Sequence, residues 1–144
     1  MKTALLDLNI LTALLWPTHV HHEAAHRWFA KRGQARWATC PLTQLGFVRL
    51  SSNPAFSRDA LTPSHAIALL EGNLTDPRHA FWPDRLTVSS AASRAPELTG
   101  HRQVTDLYLI ALADAHKGVL ATFDRGLREL ASADLASALE VVAS

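Results

Sequence analysis

The sequence predicts an α/β fold: a three-layer sandwich in which a mainly parallel central sheet of four to five strands carries helices on both faces. Two observations lead there. Short apolar runs of strand length, at 3–6, 36–40, 80–82, 119–122 and 139–142, alternate with stretches of helical periodicity. The gaps between those runs are long enough for crossover helices, which parallel neighbours require and hairpins do not. No repeat, low-complexity tract or linker divides the chain, so residues 1–144 read as a single domain.

Taken in order, Ala4, Leu5 and Leu6 form a buried strand that ends at Asp7. Asn9 is placed to cap a helix over 10–15, and Pro17 stops it. Residues 22–32 form a second helix, with Ala25, Trp28 and Phe29 inward and Gly33 as its stop. After a strand over 36–40, Pro41 opens a third helix through Leu45, Phe47, Val48 and Leu50, broken at Asn53 and Pro54. A fourth helix fits 63–72. The stretch 73–100 is interrupted by Pro77, Pro83 and Pro96 and offers one short strand at 80–82. Residues 102–117, apolar on nearly every side, make a buried helix with His116 and Lys117 at its negative end and Gly118 as its C-cap. Strands over 119–122 and 139–142 complete the sheet.

Composition narrows the class. Hydrophobic residues at 48% and charged residues at 19% describe a globular chain and exclude a disordered one. A formal net charge of +1 names no partner, since a nucleic-acid binder can hold a local basic patch within a balanced total. Cys40 is the single cysteine, which excludes an intramolecular disulfide and a thiolate zinc cage and suits a reducing cytoplasm. Asp7 and Asn9 interrupt the apolar N-terminal stretch, so no signal-peptide core forms. The apolar runs fall short of the roughly 20 residues a membrane span needs, and the expectation is a soluble, cytoplasmic protein.

The acids carry the chemistry. Ligands of parallel α/β sheets bind beyond the carboxyl ends of the strands. Asp7 ends the first strand and Asp124 follows the strand at 119–122, so both reach the same edge. A crossover helix begins at that edge, so Asp106, near the start of its helix, joins them, and Gln44, near the start of the third helix, faces the same place. Asp114 lies about 12 Å further along the helix, at 1.5 Å per residue, and is excluded. Three convergent carboxylates repel one another and call for a cation; oxygen-only ligands select magnesium, with manganese as a substitute. Phosphodiester hydrolysis by a metal-activated water follows from that arrangement.

Four segments, "LLDLNIL" at 5–11, "TCPLTQLGFVRL" at 39–50, "HRQVTDLYLIALA" at 101–113 and "LATFDRGL" at 120–127, resemble the PIN-domain family, nearest to VapC-type toxins of bacterial toxin–antitoxin pairs. The resemblance covers almost the whole chain. It implies a magnesium-dependent endoribonuclease that cuts structured RNA such as tRNA or rRNA, held inactive by a VapB-like antitoxin and commonly dimeric. The family's metal-binding acids match Asp7, Asp106 and Asp124. Its neighbouring threonine matches Thr122, whose hydroxyl would orient a carboxylate or a water. Two positions depart: the family's usual glutamate in the third helix is Gln44, which offers a carbonyl and no charge, and the further acid often found soon after the last aspartate is missing, since Arg125 and Gly126 follow Asp124. Gln44 and Asn9 are then supports behind the ligands, and a non-catalytic PIN-like module that binds RNA or protein is the alternative.

Arg49, His101, Arg102 and Arg125 are the candidate RNA-phosphate contacts, because guanidinium groups pair with phosphate bidentately. His22 and His26 lie one helical turn apart, but no third zinc ligand accompanies them. Trp16, Trp28, Trp37 and Trp82 read as core or interface, with Leu14, Leu15 and Trp16 as an apolar patch for an antitoxin or a second subunit. A phosphoryl-accepting receiver domain and an Asp-x-Asp phosphatase both require a second acid close after the first, which "DLN" at 7–9 lacks.

Overall fold

A computed structural model describes residues 1–95 and 98–144. Five strands make one sheet: β1 (Ala4–Leu6), β2 (Trp37–Thr39), β3 (His79–Phe81), β4 (Val119–Thr122) and β5 (Leu139–Val141), in the order β3-β2-β1-β4-β5. All four pairings are parallel. Between them run α1 (Leu8–Leu15), α2 (His22–Lys31), α3 (Pro41–Ser51), α4 (Pro63–Leu74), α5 (Val88–Ala92), α6 (Gln103–Ala115) and α7 (Leu127–Leu130).

Strand alternation divides the core in two. Leu5, Ala38 and Leu120 point to one face, where α6 lays down the unbroken buried run from Leu107 to Ala113 with Ala91 and Leu127 beside it. Ala4, Leu6, Trp37 and Ala121 point to the other face and meet Ile10 and Leu11 of α1, Phe47 of α3 and Leu70 of α4. A sheet buried on both faces needs continuous apolar strands, as the sequence supplies at β1 and β4. The expected three-layer α/β sandwich is therefore what the chain forms.

Several details depart from the sequence reading. Asp7, not Asn9, caps α1: its carboxylate accepts from the Leu8 N–H, and Asn9 sits inside the helix. Gly118 is not the C-cap of α6. Lys117 takes the left-handed conformation (φ 57°), and Gly118 is required one residue later, where a Cβ would stand 2.5 Å from the Thr3 carbonyl oxygen and 2.8 Å from the Trp82 ring. Two short helices, α5 and α7, are absent from the sequence reading because four or five residues carry no usable periodicity; α5 is marked only by Thr87, whose hydroxyl accepts from the Ser90 N–H. Pro96, read as one of the interruptions, lies outside the described residues. Among the described residues no helix is long and apolar enough to cross a membrane.

The tryptophans divide as core more than as surface. Trp16, Trp37 and Trp82 are buried and Trp28 is half-buried. Trp16 donates its indole N–H to Ser51 Oγ at 2.9 Å, so it is not part of an exposed patch with Leu14 and Leu15. Exposed apolar side chains instead stand at Leu42, Leu45, Ile67, Phe81, Val88 and Val104.

Candidate active site

The strand order reverses between β1 and β4, and their adjacent carboxyl ends open the crevice where such sheets bind ligands. Asp7 leaves β1 in an extended conformation (φ −60°, ψ 156°) that turns its side chain back over the start of α1. One carboxylate oxygen accepts from the Leu8 N–H at 2.8 Å, and the other accepts from the Thr122 hydroxyl at 2.7 Å. Thr122 is the last residue of β4 and is fully buried. Its oxygen also accepts from Asn9 Nδ2 and from the Asp124 N–H, each at 3.1 Å, which fills the capacity of a hydroxyl. Asn9 Oδ1 accepts from the Phe123 N–H at 3.2 Å, so three hydrogen bonds tie the start of α1 to the end of β4 and the loop after it. Asp7 is thus held in one orientation.

Asp106 enters from the first turn of α6, half-buried. It shares with Asp7 a cavity of about 390 Å³ whose walls include Leu8, Gly46, Arg49 and Thr105. Burial pushes its carboxyl up to about 6, and the neighbouring Asp7 and Asp124 both add to the rise. The Asp7 carboxyl is raised as well, by burial first, against the lowering pull of Thr122 and Leu8 and with a further push from Asp124. Asp124 stands exposed at the rim, with one oxygen accepting from the Gly126 N–H at 2.8 Å. The three acids therefore press electrostatically on one another. They do not close into a compact ligand set: among the described residues no three His, Cys, Asp or Glu side chains gather as a ready metal cluster. By chemistry the donors fit a hard divalent cation, since all are oxygens and their mutual repulsion is what such a charge relieves.

Gln44 is not brought to the acids. Its amide donates to Thr39 Oγ1 at 3.0 Å, and that hydroxyl meets His79 Nε2 at 2.7 Å. The side chain lines a separate apolar groove with Leu45, Val48, Ile67 and Phe81. The reason is helical phase: Leu42, Gly46 and Arg49 share the face of α3 that walls the acidic cavity, and Pro41, Gln44 and Val48 share the next face round. Thr43 at the intervening position is buried, bonding the Cys40 backbone N–H and carbonyl to fix the start of α3.

Of the basic candidates, Arg49 reaches the cavity wall. His101, Arg102 and Arg125 are exposed beside Asp106 and Asp124 along the chain but do not line the cavity. The excluded Asp114 is indeed elsewhere, in an ion pair with Arg94. The histidines near 19–26 serve packing: His22 Nδ1 meets the Ala13 carbonyl at 2.8 Å and His26 Nε2 the Leu14 carbonyl at 3.0 Å, pinning α2 to the end of α1. The sequence reading did not single out Leu8 and Gly46, which wall the cavity; Thr105, also in the wall, entered it only as the motif neighbour of Asp106.

A family model described as PIN domain matches residues 4–133. The chain is 49% identical over 139 residues to Ribonuclease VapC39 of Mycobacterium tuberculosis, covering 95% of this chain and 99% of that relative. It is 42% identical over 132 residues to Ribonuclease VapC29 of the same species, covering 89% and 90% of the two chains. Ribonuclease VapC38, also from that species, is 41% identical over 128 residues and 89% of each chain. Among solved structures, the crystal structure of VapBC2 from Rickettsia felis bound to a DNA fragment from their promoter superposes with a TM-score of 0.67 over 98% of this chain and 99% of the other, a likeness of fold at 13% identity.

Proposed function

This chain belongs to the PIN-domain family, among its VapC ribonucleases, and from that premise we propose that it is the endoribonuclease toxin of a toxin–antitoxin pair, hydrolysing phosphodiester bonds in structured RNA such as tRNA or rRNA. Asp7, Asp106 and Asp124 are the residues that would hold its divalent cation, magnesium with manganese as a substitute. When bound, that cation supplies water activation and neutralises charge at the phosphoryl group.

The observation that carries this reading is the meeting of three carboxylates at the switch point of the sheet, with Asp106 raised first by burial and then by both of the others. Each residue has a distinct task. Asp7, buried and fixed by two hydrogen bonds, is the rigid ligand, and pre-set geometry lowers the reorganisation needed on binding. Thr122 holds that orientation and positions the Asp124 backbone. Asn9 holds the loop after β4. Asp124, exposed at the rim, gives one carboxylate oxygen to the Gly126 N–H and keeps the other for a bound ion. With Gln44 turned away, the site has three acids, which favours one cation over two.

A VapB-type antitoxin and a second copy of the chain are the proposed protein partners. Apolar surface on both flanks of the acidic cavity supports them: Leu45, Ile67 and Phe81 stand exposed on one side, Leu42, Val88 and Val104 on the other. Exposed His101, Arg102 and Arg125 are the proposed rim contacts to RNA phosphates, and a cytoplasmic setting follows from the substrate.

The test is to incubate purified, antitoxin-free protein with total RNA plus magnesium, manganese or chelator, beside Asp7→Asn. Discrete fragments that require metal and vanish in the variant are expected. Intact RNA in every lane, together with harmless expression in a bacterial host, would leave only a non-catalytic binding module.

A further inference from the structure

Two cavities meet on α3, and a cation stands at the seam. The acidic cavity of about 390 Å³ shares a wall with a shallower groove of about 550 Å³ that runs to the turn after the helix, at Ser52, Asn53 and Pro54. Leu8, Gly46 and Arg49 line both. Gly46 sets the floor between them: a Cβ there would come within 3.2 Å of Leu8 Cδ2, so the missing side chain lets α3 close on α1 and leaves the passage low. Arg49 is exposed, one turn further along the same helical face. Arg32, Arg78 and Arg94 are held in ion pairs, but Arg49 makes none with the described residues, although it borders a cavity that contains two carboxylates. At the far end, Asn53 Oδ1 accepts from the Ala55 N–H at 3.0 Å, and its amide N–H groups have no partner among the described residues.

We propose that the RNA strand leaves the acidic cavity across Gly46, with the Arg49 guanidinium holding the phosphate next to the scissile one and an unpaired nucleotide lying in the groove of Ser52, Asn53 and Pro54. This rests on the ribonuclease reading above. The chemistry favours a nucleic-acid strand over a protein segment. Phosphates recur at every nucleotide, so a substrate with one phosphate among the acids must present another a step away, where carboxylates would repel it and a free guanidinium pairs with it. An open groove with an uncommitted amide at its end suits a splayed single-stranded nucleotide better than the stacked interior of a helix. Arg49 is a binding and positioning residue in this scheme, outside the reacting atoms.

The experiment measures initial rates of magnesium-dependent cleavage of total RNA against RNA concentration and against KCl, for the full-length wild type, Arg49→Ala and Arg49→Lys. Thermal midpoints are checked first; an exposed side chain without partners among the described residues predicts no change. Arg49→Ala is expected to lose about ten- to a hundredfold in kcat/KM, carried mainly by KM, as for one charged hydrogen-bonded contact. Its plot of log kcat/KM against log salt should be shallower by about 0.7, the value for one phosphate contact on a single strand. Arg49→Lys should recover the salt slope and part of the rate, because the charge returns without the bidentate fork. Wild-type KM and an unchanged salt slope in Arg49→Ala would overturn this path while leaving the nuclease in place. Failure of the wild type itself to cleave with metal strikes the ribonuclease reading, is seen before any variant is compared, and takes this path with it.

Discussion

Replacing Asp106 with Asn should stabilise the metal-free protein while abolishing cleavage. Asp106 is half-buried between Asp7 and Asp124, and its carboxyl is raised from 3.8 to about 6 by burial and by those two neighbours. A group whose folded value lies above its unfolded value contributes stability that is present below 3.8 and is lost as pH rises through about 6. A rise of roughly 2 units corresponds to about 3 kcal/mol at about 1.4 kcal/mol per unit, and solvent screening of a half-buried side chain reduces that to about 1 kcal/mol. The variant cannot ionise and so escapes this loss. Urea denaturation in chelator from pH 4 to pH 8, wild type beside Asp106→Asn, reads the difference made by Asp106 and its coupling to Asp7 and Asp124, since groups away from the three acids titrate alike in both. The two curves should converge near pH 4 and separate to about 1 kcal/mol in favour of the variant above pH 7, or about 3 °C in thermal midpoint. A variant that is less stable at pH 7.5, or a difference constant across the range, would show that the carboxylates do not press on one another and would remove the physical basis of the site.

Three further outcomes follow from the same geometry. Thr122→Val should cost about 2–4 kcal/mol and lose cleavage, because it strands the buried Asp7 carboxylate, the Asn9 amide and the Asp124 N–H together; chemical denaturation and an RNA assay read both, and wild-type activity would contradict the role given to the hydroxyl. Millimolar magnesium should raise the thermal midpoint of the wild type and leave that of Asp7→Asn unchanged, since a ligand that binds only the folded state stabilises it by mass action; equal shifts would place the ion elsewhere. Gly118→Ala should destabilise by about 1–3 kcal/mol without altering KM for RNA, as its Cβ would overlap the Thr3 carbonyl and the Trp82 ring at the amino edge of the sheet, away from the acids; a neutral thermal midpoint would refute the close approach.

What the sequence by itself determined was everything written in period and in chain order. Continuous apolar strands at 4–6 and 119–122 imply a sheet buried on both faces, and the crossover spacing implies parallel pairing, which together put Asp7, Asp106 and Asp124 on one edge. Asp114 was separable from Asp106 by helical rise alone, and its ion pair with Arg94 agrees. What only the tertiary structure decided was direction within an element and contact between elements. Gln44 and Arg49 both lie on α3, but a rotation of about 100° per residue sends one to Thr39 and the other to the acidic cavity, and the bounding residues that fix this phase come from α1 and α4. Asn9 looked like a local cap and proved to be a long-range strut to Thr122 and Phe123, because the Asp7 carboxylate, turned back by the end of β1, had already taken the capping N–H. Gly118 looked like a helix stop and proved to be a clearance for Thr3, a residue more than a hundred positions away in sequence. Local patterns encode which elements form; the pairing of distant groups depends on how those elements pack, and no window of sequence contains that information.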